Sequence, residues 1–310
     1  MLVHGTASSG GRWADLINDL QNDPSIRDRF QFWLFTYDTG NPMAFSALQL
    51  RTALDETIAK LDPDRRDPAL HNMVLVGHSQ GGLLAKMLVI NSGSRLFDAF
   101  SSKPIDELSL TDDTRELLRH ALFVTPMPDV TRVIFISTPQ HGSFVAGAWL
   151  AHLAGRLVTL PLRVTKLAAE TLTGNRDAMR LDPENVRLNS VYGMTPGSPF
   201  ITAIGSIPVA PTVTANSIIP VQGDGPIETG DDGVVKYSSA HIDEAESELV
   251  VRSGHSVQSN PRAVAEVRRI LLLQWQLACA QGCSPSSETD VVANATPPRP
   301  STRHATPARP

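Results

Sequence analysis

Apolar positions along this chain fall into two kinds of pattern, short continuous runs and longer stretches at helical spacing, and the two kinds alternate. Met73-Val74-Leu75-Val76 and Val133-Ile134-Phe135-Ile136 contain no polar residue, as expected of central parallel strands covered on both faces. Phe32-Trp33-Leu34-Phe35-Thr36-Tyr37 is a third run of strand length, closed by the turn formers Asp38, Gly40, Asn41 and Pro42. Met1-Leu2-Val3 reads as the end of a buried strand, Phe200-Ile201-Thr202-Ala203-Ile204-Gly205 as another, and residues 248–251 as a last one. Between these runs, Trp13, Leu16, Ile17 and Leu20 recur at helical spacing, as do Phe45, Leu48, Leu50, Leu54, Ile58 and Leu61. Residues 83–90 read as a buried helix, and a final helix opens at Pro261, where proline suits a first turn. Residues 94–129, helical over 111–122, and residues 144–196 are predicted excursions that could cap the sheet. The alternation predicts an α/β protein with a mostly parallel, doubly wound sheet. One domain is expected over residues 1–280, with a disordered tail rich in Pro, Ser and Thr over 281–310.

Composition narrows the function classes. The chain has 310 residues, 41% hydrophobic and 19% charged, ordinary for a globular protein with a sizeable core. A formal net charge of -5 provides no basic field for a nucleic-acid backbone, so nucleic acid is not an expected partner. No apolar run reaches the ~18 residues needed for a stable membrane span. Cys279 and Cys283 make neither a disulfide framework nor a zinc site and read as incidental thiols on a helix end. No metal cluster is evident, and no cofactor is implied.

The chemistry is concentrated in Gly77-His78-Ser79-Gln80-Gly81, which lies between the run 73–76 and the helix that follows. A sharp strand-to-helix turn strains the serine backbone and lifts its oxygen clear of the sheet, and glycines on either side avoid collisions in so tight a turn. The serine then stands at a helix N-terminus, where free N–H groups and the helix dipole favour developing negative charge.

With its surroundings, this motif resembles the lipases and esterases of the α/β-hydrolase superfamily. Val3-His4-Gly5-Thr6 looks like their oxyanion loop, and Gly-His-Ser-Gln-Gly-Gly like their nucleophile elbow. Ser-Thr-Pro-Gln-His-Gly-Ser at 137–143 is similar to the Thr-Pro-His-x-Gly-Ser segment that lipase-like members carry after the sixth strand. Gly230-Asp231-Asp232-Gly233-Val234-Val235 resembles the segment that supplies their acid. The resemblance implies Ser79 as nucleophile, with Gln80 and Thr6 giving the oxyanion-hole N–H groups. In this fold the triad follows the order Ser, Asp or Glu, His, which leaves His241, His255 and His304 for the base. His255 is favoured, because it lies between the last strand and the last helix. His241 belongs to a polar stretch that reads as helical and solvated, and His304 lies in the tail. The family match selects Asp232 as the acid, with Asp231 and then Asp224 behind it. His4 and His78 read as structural, and His141 has no assigned role.

The resemblance implies hydrolysis of a carboxylic ester, of a small molecule or a lipid. A thioester, amide or lipid-anchor ester, or a non-catalytic binding domain on the same fold, is the alternative. Leu150, Leu153, Leu157, Val158 and Leu160 would suit an apolar lid and equally plain helix packing. The fold ordinarily places two further strands before the His-Gly loop, so the sheet is expected to lack its first strands or the reading frame to begin upstream of Met1. The first residues carry no signal-peptide pattern, which makes a cytoplasmic location the default, but an upstream segment would reopen the question of compartment. Oligomeric state is not legible in the sequence.

Overall fold

The computed structural model describes residues 1–145, 165–166, 169–171, 174–180 and 193–280. Six strands form one parallel sheet: β1 (Leu2–Val3), β2 (Leu34–Phe35), β3 (Met73–His78), β4 (Val130–Ile136), β5 (Thr214–Val221) and β6 (Ala245–Arg252). Their order across the sheet is β2-β1-β3-β4-β5-β6. The helices that concern the site are α1 (Ala14–Gln21), α2 (Met43–Leu61), α3 (Gln80–Met87), α4 (Asp112–Leu122), α5 (Pro199–Gly205), α6 (Tyr237–Ala240) and α7 (Pro261–Ala280).

Side-chain alternation divides the continuous apolar runs between two cores. Leu75, Val133 and Phe135 face a layer built from α2, α3, α4 and α5. Val74, Val76, Ile134 and Ile136 face the opposite layer, with Trp13, Leu16 and Leu20 near the start of the chain and Val264, Val267 and Ile270 of α7. The sheet is thus covered on both faces, and only its strand ends are left to host chemistry. The C-terminal ends of β1, β3, β4, β5 and β6 lead into the loops that carry Thr6, Ser79, Ser137, Asp232 and His255.

Three expectations are corrected. Residues 200–205 were expected as a strand and form α5. Ser198 caps it, its hydroxyl accepting from the Ile201 N–H at 3.4 Å, and Pro199 opens it. Buried Phe200, Ile201 and Ile204 then take helical spacing, so the cap outweighs the strand-like composition. The fifth strand is instead Thr214–Val221. Asn216 and Ser217 interrupt its apolar pattern, yet both are buried in the sheet, where Asn216 accepts from Arg132 at 2.7 Å and donates to Ser247 at 2.8 Å. The polar stretch after His241 is not helical, because β6 begins at Ala245 and His241 itself has extended backbone.

The aromatic run 32–37 supplies only the two-residue β2. Residues 94–129 pack Leu118, Ala121 and Leu122 of α4 into the core shared with α2. Most of the second excursion, with its leucines, and the tail 281–310 lie outside the described residues. Among the described residues no helix is long and apolar enough to cross a membrane.

Candidate active site

Ser79 directly follows β3 with φ 54° and ψ -126°, a backbone conformation that a non-glycine residue adopts only when its surroundings impose it. Those surroundings are tight. A Cβ on Gly77 would lie 2.5 Å from Gly82 Cα and 2.6 Å from the Gly81 carbonyl, and one on Gly81 would lie 2.5 Å from the His4 carbonyl. The elbow is therefore pressed between its own helix and the end of β1. Gly5 completes the approach: a Cβ there would stand 2.8 Å from Ser79 Cβ.

The predicted residues converge on this turn. His255 Nε2 lies 2.9 Å from Ser79 Oγ, and its Nδ1 lies 2.7 Å from Asp232 Oδ2. Asp232 is 2% exposed, and its other oxygen, Oδ1, accepts from the N–H groups of Val234 at 2.8 Å and Val235 at 2.7 Å. Three hydrogen bonds thus hold a buried carboxylate in one orientation, which satisfies the requirement that a buried polar group be hydrogen-bonded. Asp231 has a separate place, accepting from the Gly233 N–H at 2.8 Å as a turn former, and Asp224 is exposed on the preceding loop. His241 is bound into a different cluster, with Glu248 at 2.6 Å and Asp243 at 3.2 Å. His304 lies outside the described residues.

Thr6 and Gln80 are tied by their side chains, with Thr6 Oγ1 donating to Gln80 Oε1 at 2.6 Å. Gln80 Nε2 donates in turn to the Thr39 carbonyl at 3.3 Å, so the fully buried Gln80 side chain is occupied on both atoms. Gln80 is the first residue of α3, where leading N–H groups have no partner within the helix. Tyr37 donates to the His4 carbonyl at 2.9 Å and stacks on the His4 ring, fixing the loop from behind.

The geometry brings in residues that sequence reasoning left aside. The backbone of His255 is clamped at both ends: its N–H donates to the Asp232 carbonyl at 3.0 Å, and its carbonyl accepts from His78 Nε2 and from Ser137 Oγ, each at 3.0 Å. His78 is buried, and burial pushes its pKa down to about 3, so it is a neutral donor to that carbonyl rather than a proton carrier. Ser137 directly follows β4 with φ 52°, repeating next to the elbow the positive φ of Ser79. Gln222 donates from Nε2 to the Asp232 carbonyl at 2.9 Å, and Ser143 donates to the Val234 carbonyl at 2.7 Å. The 137–143 segment therefore braces the histidine loop at one end and the aspartate loop at the other. A serine directly after the buried run 133–136 was the one sequence signal for this. His141 is exposed, with Nδ1 3.4 Å from the Ser239 carbonyl.

An open cleft of about 860 Å³ lies over Ser79 and His255. Thr6, Ser8, Ser9 and Arg12 line it on the β1 side, and Pro139 and Val234 on the β4 and β5 side.

Residues 1–267 match the sequence profile of the alpha/beta hydrolase family. No curated protein matches the chain in sequence. Among solved structures, the mature form of the lipase BlEst2 from Bacillus licheniformis aligns at 16% identity with a TM-score of 0.50, covering 87% of this chain and 90% of that one. EstA from Clostridium botulinum aligns at 13% identity with a TM-score of 0.48, covering 88% of this chain and 86% of that one. At 16% identity the likeness to the Bacillus lipase is one of fold. The profile match over most of the chain, together with the parallel sheet and its elbow, establishes that this chain belongs to the alpha/beta hydrolase family.

Proposed function

We propose that the protein is a serine-dependent hydrolase of carboxylic esters that works through an acyl-enzyme on Ser79. The observation that carries this reading is the unbroken hydrogen-bond line from Asp232 through His255 to a serine held at positive φ. His255 Nε2 takes the Ser79 proton as Oγ attacks the ester carbonyl carbon. The tetrahedral oxyanion is met by the N–H groups of Gln80 and Thr6, where each such donor is typically worth about 100-fold or more in rate. The bond to the alcohol oxygen then breaks, and His255 returns the proton to that oxygen. Water, deprotonated by the same nitrogen, attacks the acyl carbon; the bond to Ser79 Oγ breaks, His255 returns the proton to that oxygen, and the acid is released. Asp232 stays ionised throughout, holding Nδ1–H toward itself and stabilising the imidazolium.

A fluorophosphonate probe tests the reading directly. Labelling of wild type, and none of Ser79→Ala, is the expected result. A folded wild-type protein that resists the probe would make this a binding domain. Labelling without turnover of a series of nitrophenyl esters would move the activity to thioesters or amides.

A further inference from the structure

The cleft is chemically one-sided, and the asymmetry bears on the substrate. This inference rests on the ester-hydrolase reading above. His255 must return its proton to the departing alcohol oxygen, so the alcohol portion of the ester lies on the His255 side of Ser79. Two polar residues stand there. Ser256 follows the base directly, and Arg12 Nη2 donates to Ser256 Oγ at 2.9 Å. Arg12 is placed by the turn Gly10–Trp13, whose Trp13 is fully buried with its ring edge-on to His78.

Arg12 is exposed at the rim of the cleft, and its charge has no opposite partner among the described residues. Guanidinium groups in clefts ordinarily meet carboxylates or phosphates, often through two parallel hydrogen bonds. Among the described residues the only hydrogen-bond partner of the Arg12 guanidinium is the neutral Ser256 hydroxyl, and Asp15, which also lines the cleft, forms no ion pair with it. A negative group on the substrate would supply the charged partner that Arg12 lacks.

The geometry points to Arg12 as the recognition group for an anionic substituent, carboxylate or phosphate, on the alcohol portion of the ester. The acyl portion then extends away from Arg12, where the cleft is lined by Pro139, Met194 and Val234. Asp15 limits the preference by repelling the same anion.

The test compares three acetyl esters: 4-acetoxybenzoate, 4-acetoxyphenyl phosphate and the uncharged methyl 4-acetoxybenzoate. For each anionic ester, the ratio of its kcat/KM to that of the uncharged ester is measured in wild type and variants, so that leaving-group differences cancel. Arg12→Gln should lower the ratio about tenfold and Arg12→Glu further, whereas Arg12→Lys should keep part of it and Asp15→Asn should raise it. The effect should shrink as salt rises. Whichever anionic ester loses more in Arg12→Gln identifies carboxylate or phosphate as the native group. Ratios unchanged across the Arg12 variants would overturn the assignment. Calorimetric binding of the product 4-hydroxybenzoate reads Arg12 without turnover. Weaker binding in Arg12→Gln than in wild type supports the assignment even if no ester is hydrolysed, and equal binding refutes it.

Discussion

Asp232→Asn isolates the orienting role of the carboxylate, and its cost follows from the hydrogen bonds around it. In the native site Oδ1 is committed to two backbone N–H groups, at 2.8 and 2.7 Å, and Oδ2 to His255 Nδ1 at 2.7 Å. The asparagine amide has one acceptor and one donor end, so only two placements exist. Turning the NH2 toward Val234 and Val235 abolishes two buried hydrogen bonds and sets donor against donor, at about 1–3 kcal/mol for each group left unsatisfied. The amide oxygen therefore stays on the backbone, and the NH2 faces Nδ1. His255 must then accept at Nδ1 and carry its proton on Nε2, which donates to Ser79 instead of receiving from it. Recovering the productive tautomer costs about 2–6 kcal/mol, and the imidazolium loses its charged neighbour as well. At ~1.36 kcal/mol per tenfold, kcat should fall by about 30-fold to 10⁴-fold with the fold intact. Nitrophenyl ester hydrolysis alongside a thermal melt measures both quantities. A loss smaller than tenfold in a protein that melts normally would refute the role given to Asp232. Asp231→Asn is the matched control and should stay within about threefold of wild type, since the asparagine oxygen can still accept the Gly233 N–H.

Further outcomes are open to measurement. His255→Ala should abolish turnover, whereas His241→Ala should leave it near wild type; the reverse would exchange the two histidines' roles. Gly81→Ala should fail to assemble the elbow, because its Cβ would meet the His4 carbonyl at 2.5 Å, and probe labelling should drop even where far-UV circular dichroism persists. The hydrogen bond from Arg132 holds Glu246 below the usual carboxylate range. A folded value below the unfolded ~4.3 means that the pair stabilises fully above that pH, and that its contribution is lost as pH falls through the folded value. Glu246→Gln should therefore flatten Tm against pH between about 5 and 3. His241 has the opposite sign: its hydrogen bond to Glu248 raises its pKa. That contribution is complete below the unfolded ~6.5 and is lost as pH rises through the higher folded value, a slope that His241→Asn should remove.

The parts of the molecule legible in the sequence are those fixed by local pattern. The run 73–76 announces a central strand because both its faces are covered, and the glycines at 77 and 81 follow from the lack of room around the turn. Asp232 and His255 come from the resemblance and from their order along the chain. The missed features depend on partners far away in sequence. β5 was hidden because its polar residues look wrong for a buried strand until Arg132 and Ser247 are placed beside Asn216. The hydroxyl of Ser137 and the ring of His78 reach the His255 carbonyl across 118 and 177 residues. A side chain that binds a carbonyl leaves no periodicity or spacing for a reader to find. α5 was misread for a different reason, since six apolar and β-branched residues fit either state and one capping serine decides between them.

The carbonyl of His255, accepting at once from the elbow and from the end of β4, ties the fate of the His255 loop to the centre of the sheet. In many proteins a loop that carries a functional group opens on its own, well below the free energy of global unfolding. Here such an opening would have to break bonds to His78 and Ser137 beside two strained, buried strand ends. His255 and Ser79 thereby belong to one cooperative unit, and on the proposed mechanism heating should extinguish activity at the temperature where the tertiary structure melts, not before it.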